Sequence, residues 1–149
     1  MMIKRLLLTA VTLMLIANSA LAAKSEIYTP FLGQALSGYD PVAYFTQGRP
    51  VKGSSKHTLE YKGETWRFSS EENRLAFEMM PEKYAPRYGG YCAYAVASGY
   101  TASADPEAWS IVEGKLYLNY NKSVRDTWSR DIPGNITRAD ANWPKVLDN

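Results

Sequence analysis

The sequence predicts a small, single α+β domain in which two β-hairpins form an antiparallel sheet packed by several short helices. Three observations carry this. Two turn dipeptides, Lys62-Gly63 and Glu113-Gly114, each lie between short runs rich in Thr, Tyr, Trp, Phe, Ile and Leu. Glycine supplies the positive φ that a two-residue hairpin turn needs. Between and after these hairpins, prolines and glycines at 81, 86, 89, 90, 99, 133 and 134 leave room only for short helices.

The elements follow in order. Residues 1–22 carry Lys4 and Arg5, an apolar run from Leu6 to Ala17, and Ala20-Leu21-Ala22, the small-x-small pattern of a cleavage site. The run is shorter than the roughly 20 residues a bilayer span requires. This stretch is expected to be a cleaved export signal, with the mature protein in the periplasm; a retained membrane anchor is the alternative. Residues 23–37 read as an N-terminal arm. The stretch "GYDPVAYF" (38–45) opens with turn chemistry around Asp40-Pro41 and continues apolar, and 46–56 is a Gly-, Pro- and Ser-rich loop.

The first hairpin pairs Thr58–Tyr61 with Thr65–Phe68. Ser69 or Ser70 then caps a helix over Glu71–Met79, since Ser69-x-x-Glu72 has capping-box spacing, and Leu75 and Met79 share one face. Pro81 stops that helix, and "PEKYAPRYGG" is a turn or a single helical turn. The alanine-rich "YCAYAVAS" (91–98) reads as a buried short helix ended by Gly99. "DPEAW" (105–109) is a capped turn, and 109–121 is the second hairpin. Val124 and Trp128 lie one helical turn apart; Pro133-Gly134 interrupts, and a last helix starts near Thr137, with Asp140 three residues on.

Charge narrows the partners. The chain has 17 basic and 15 acidic residues, and loss of Lys4 and Arg5 with the leader leaves 15 of each. No basic run of five survives, which argues against nucleic acid. A membrane contact is expected only if the leader is retained. The single cysteine, Cys92, permits no intrachain disulfide, so packing must hold the fold. Eleven tyrosines and four tryptophans supply material for it.

Chemistry-bearing residues are few. Cys92 could be core filler, a reactive thiol or a metal ligand. Gly89-Gly90 just before it would put the thiol in the first turn of its helix, where free N–H groups lower a thiol pKa, with Arg87 adding to the effect. A four-ligand zinc site is out of reach, since only Cys92, His57, Met79 and Met80 are soft or borderline ligands outside the leader. A mixed site using Cys92 and His57, or a copper site of low coordination, stays open. His57 at the foot of a hairpin also reads as an ordinary strand residue. Tyr84, Tyr88, Tyr91 and Tyr94 are spaced as core or as a ligand-stacking face. The candidate binding residues are Tyr88, Tyr91 and Arg87.

The order "GYDPVAYF", "YKGETWRFSSEENRLAFEMMPEKYAPRYGGYCAYAV", "GYTASADPEAWSIVEGKLYLNYNKSVRDTWSRDIPGNI" and "ADANWPKVL" closely resembles the exported YHS domain-containing proteins of bacteria, a family that includes selenoproteins. The resemblance runs from Gly38 to Leu147 and implies a YHS-type domain over 38–149. It also implies that some relatives carry selenocysteine where this chain has Cys92, and so a redox or metal-binding role for that position. The wider family resembles heavy-metal binders with three cysteines, whose positions fall here on Ala43, Ser69 and Asn73. All three thiolates are absent, so the scaffold is similar and that metal site is not.

The leading expectation is therefore thiol-based redox or soft-metal handling through Cys92, with copper or another soft metal as the cofactor to test. A periplasmic redox partner or metal donor would complete it, because no second cysteine can resolve an oxidised thiol. The other expectation is a non-catalytic ligand- or protein-binding module, with a Tyr- and Trp-rich cleft and a buried structural cysteine.

Overall fold

The structure, a computed structural model, describes residues 23–149; the leader expected over 1–22 lies outside them. The chain runs through α1 (Ala43–Thr46), β1 (Ser54–Tyr61), β2 (Glu64–Phe68), α2 (Glu71–Met79), α3 (Pro81–Tyr84), α4 (Ala93–Ala97), β3 (Asp105–Val112), β4 (Lys115–Asn119), α5 (Lys122–Trp128) and α6 (Ile132–Asn142). Short 3₁₀ turns at Ala35–Gly38, Arg87–Gly90, Ser129–Asp131 and Lys145–Asp148 join them. The class is α+β, as the turn signals predict. The two hairpins, however, stand as two separate two-stranded antiparallel sheets and do not share one.

Both hairpins turn where glycine allows it. Lys62 and Gly63 adopt φ of 51° and 79°, and Glu113 and Gly114 adopt 50° and 73°, the left-handed pair that matches the twist of two short strands. Each ladder also carries an irregularity, between Ser54 and Thr58 and between Asp105 and Trp109. The second explains why "DPEAW" is strand and not the expected turn. Asp105 Oδ1 still accepts a bond from the Glu107 amide at 2.9 Å, so the turn chemistry survives inside the bulge.

Alternation along the strands divides the interior. In β2, Trp66 and Phe68 are wholly buried while Thr65 and Arg67 are half-exposed. In β4, Leu116 and Leu118 face a first core with Ile27, Leu36, Val42, Tyr44, Trp66, Phe68 and Phe77. Tyr117, on the opposite face, enters a second core with Tyr88, Tyr91, Val96, Trp128, Ala139 and Val146. The one strand β4 thus serves as the wall between two aromatic cores. The segment expected as an arm is packed on both, with Ile27, Ala35 and Leu36 at 3% exposure or less.

Two helices depart from expectation in instructive ways. α2 spans Glu71–Met79 as predicted, but Ser70 caps it, accepting from the Asn73 amide at 3.1 Å, while Ser69 is used elsewhere. Its apolar pair Leu75 and Met79 faces solvent, at 46% and 82% exposure, and Phe77 is the residue that enters the core. α6 runs through Pro133-Gly134 without interruption. Proline in a first turn forfeits no hydrogen bond, and Asp131 caps that end by accepting from the Gly134 amide at 3.0 Å. Among the described residues no helix is long and apolar enough to cross a membrane.

Candidate functional site

The turn "RYGG" (87–90) is built on an unusual backbone. Tyr88 and Gly89 both take left-handed φ, 57° and 62°. For tyrosine this carries strain of about 1 kcal/mol, and packing and hydrogen bonding hold it in place. Gly89 has no alternative. A Cβ there would lie 1.7 Å from the Glu26 carbonyl oxygen, because the turn is pressed against the N-terminal segment, whose Tyr28 amide donates to the Gly89 carbonyl at 2.9 Å.

This contact opens a cleft of about 430 Å³ beside the turn. Tyr61, Glu82, Arg87, Tyr88, Asp140 and Trp143 are among its walls. The Tyr88 hydroxyl donates to Asp140 Oδ1 at 2.8 Å, and the Tyr88 and Trp143 rings meet edge to face at 5.9 Å. Burial, then the bond to Asp140, pushes the Tyr88 phenol well above its ordinary 10.0, with Arg87 pulling the other way. Tyr88 is therefore a neutral hydrogen-bonding group at any physiological pH. Within the same cleft Lys62 Nζ and Glu26 Oε1 pair at 2.6 Å, which holds the Lys62 ammonium above its usual value.

Of the binding candidates, Arg87 and Tyr88 line this cleft and Tyr91 does not. Tyr91 is 8% exposed, donates its hydroxyl to the Ser25 carbonyl at 2.8 Å and packs on Tyr28 and Trp143. It is a strut behind the cleft. Trp143 and Asp140 were not singled out as site residues. Their three-residue spacing across the end of α6, an acid in its last turn and an aromatic just beyond it, was the signal available for them.

Cys92 occupies a different place. It is the residue before α4, five residues long, and not within its first turn; it is 2% exposed. Its Sγ donates to Asn119 Oδ1 at 3.6 Å, and the same oxygen accepts from the Tyr94 amide at 3.0 Å. Asn119 is completely buried, and among the described residues its Nδ2 has no hydrogen-bond partner. His57 lies on β1, 3.3 Å from Glu71 Oε2 at the start of α2, and shares no partner with Cys92. Among the described residues no group of three or more His, Cys, Asp and Glu side chains is placed to hold a metal ion.

The positions matched to the wider family's cysteines do converge, around a carboxylate. Asp40 is completely buried. Its Oδ1 accepts from the amides of Val42 at 2.8 Å and Ala43 at 3.3 Å. Its Oδ2 accepts from the Ser69 amide at 2.8 Å, the Ser69 hydroxyl at 2.7 Å and Asn73 Nδ2 at 2.8 Å. Five donors around one carboxylate satisfy a buried charge with no metal ligand of the thiolate kind. Ala43, Ser69 and Asn73 thus each contribute a hydrogen-bond donor to a single hub.

No curated protein and no solved structure matches the chain. A family model described as the YHS domain matches residues 42–88. That stretch begins at Val42, at the Asp40 hub, takes in the first hairpin with α2 and α3, and ends on Arg87 and Tyr88 in the cleft wall. The chain thus carries a YHS domain over residues 42–88.

Proposed function

We propose that this protein is a non-catalytic binding module whose working surface is the cleft beside Arg87 and Tyr88. The observation that carries the reading is the contrast between the two candidate centres. Cys92 is 2% exposed and bonded to Asn119, whereas Arg87, Tyr88, Asp140 and Trp143 border about 430 Å³ of open space. A volume of this size, walled by the Tyr61, Tyr88 and Trp143 rings and by several charged side chains, lies within the range of small-ligand sites. The reading includes export: residues 1–22 are removed after Ala22 and the module works in the periplasm. N-terminal sequencing of the protein from a periplasmic extract should begin at Ala23.

The test is a screen of small soluble compounds by two-dimensional NMR. Binders should perturb the Trp143 indole together with the amides of Arg87, Tyr88 and Gly89, and lose affinity in Tyr88→Phe. A screen in which every binder maps away from these residues would reject the cleft.

One observation favours a second reading, in which Cys92 handles a soft metal such as copper or an oxidant. The buried, unpartnered Nδ2 of Asn119 belongs to the very side chain that touches the thiol. Such a donor could bond an atom added to the sulfur, and a metal donor or redox partner would then be required. Titration of Cu(I) into wild type and Cys92→Ser decides it. Stoichiometric uptake lost in the variant supports the thiol site; equal uptake removes it.

A further inference from the structure

The cleft holds charges of both signs that the fold leaves uncompensated. Glu26 and Lys62 cancel each other at 2.6 Å. Arg87 is half-buried, and among the described residues its guanidinium makes no ion pair or hydrogen bond. Among the described residues Asp140 receives one bond, from Tyr88, on Oδ1, which leaves Oδ2 uncommitted. Glu82 is exposed on the same rim and, among the described residues, forms no ion pair. The Tyr88 hydroxyl lies within the field of both Arg87 and Asp140. Tyr61 and Trp143 add aromatic surface.

Resting on the cleft reading, we propose that the ligand is a small zwitterion with an apolar or aromatic side group, of the α-amino-acid type. Its carboxylate pairs with Arg87, its ammonium with Asp140 Oδ2, and its side group covers Tyr61 and Trp143. A simple anion would satisfy Arg87 but bring its charge beside Asp140 and Glu82. A simple cation would leave the half-buried guanidinium without a partner. Both mismatches cost affinity, because like charges and unpaired polar groups are penalised where water is excluded. A zwitterion meets each charge with its opposite, and an arginine fork suits a carboxylate in particular.

The test compares phenylalanine with its singly charged analogues phenethylamine and 3-phenylpropionate and with neutral 2-phenylethanol, by NMR titration of the Trp143 indole. Phenylalanine should bind about tenfold tighter or more than any of the other three, as expected for one added charged hydrogen bond. Arg87→Gln should reduce phenylalanine to the affinity of phenethylamine and leave phenethylamine unchanged; Arg87→Lys should fall between. Asp140→Asn, which keeps the acceptor for Tyr88, should reduce phenylalanine to the affinity of 3-phenylpropionate. If a singly charged or neutral analogue binds as tightly as phenylalanine, the zwitterion is wrong and the cleft stands. If none of the four moves the Trp143 signal at millimolar concentration, the aromatic zwitterion is wrong, and the cleft itself is then decided by the broader compound screen.

Discussion

Asp40 shows how far a single residue can be read before the fold is known. Its place before Pro41 marks it as a turn-capping acid, and it does cap, through the Val42 and Ala43 amides. The other half of its role depends on partners 29 and 33 residues away, Ser69 and Asn73, which no local pattern could assign to it. The same distance in sequence hid the Cys92–Asn119 contact, 27 residues apart. Asp40→Ala leaves several buried donors unsatisfied and should cost about 3–5 kcal/mol in urea unfolding. Asp40→Asn should recover little, because its amide would face the Ser69 and Asn73 donors. A loss under 1 kcal/mol for Asp40→Ala would show that the hub is incidental.

At the scale of elements, those whose cause is local were legible. Both hairpin turns, the span of α2 and the short helix after Cys92 follow from glycine, capping serine and proline at known positions. Orientation was not legible where periodicity is short: one turn of Leu75 and Met79 looks like a core face, yet Phe77 is what meets Trp66 and Phe68. The Arg87–Gly90 turn is the element on which the site depends. Gly89→Ala forces a side chain both into a left-handed backbone and against the Glu26 carbonyl. It should destabilise by about 2 kcal/mol or more and shift the Tyr28 amide resonance, whose partner is the Gly89 carbonyl. Ser70→Ala, by contrast, should cost only about 1 kcal/mol, the ordinary value of a helix cap, and leave the cleft resonances in place.

The whole molecule is a pair of aromatic cores separated by β4, with the cleft lined by residues of both and a buried thiol hydrogen-bonded to Asn119 at the end of that strand. Such an interior has a pH signature. Burial raises the phenol pKa of Tyr44, Tyr88, Tyr91 and Tyr117 above 10.0. A group raised in the folded state favours the protein fully below its unfolded pKa, so this contribution is intact below pH 10 and declines as pH rises beyond it. Stability should fall steeply on the alkaline side, and a spectrophotometric titration should show these four phenols ionising together with unfolding. Independent titration near pH 10, with the fold intact, would contradict their burial.

The separation of cleft from thiol is the claim on which the functional reading depends. It is tested most directly by the rate at which an aromatic disulfide reagent labels Cys92 in the folded protein. Labelling should be slow, follow the rate of opening as urea is added, and reach one thiol per chain only on denaturation. Rapid, stoichiometric labelling of the native protein at neutral pH would put a reactive cysteine at the surface and return the function to the sulfur.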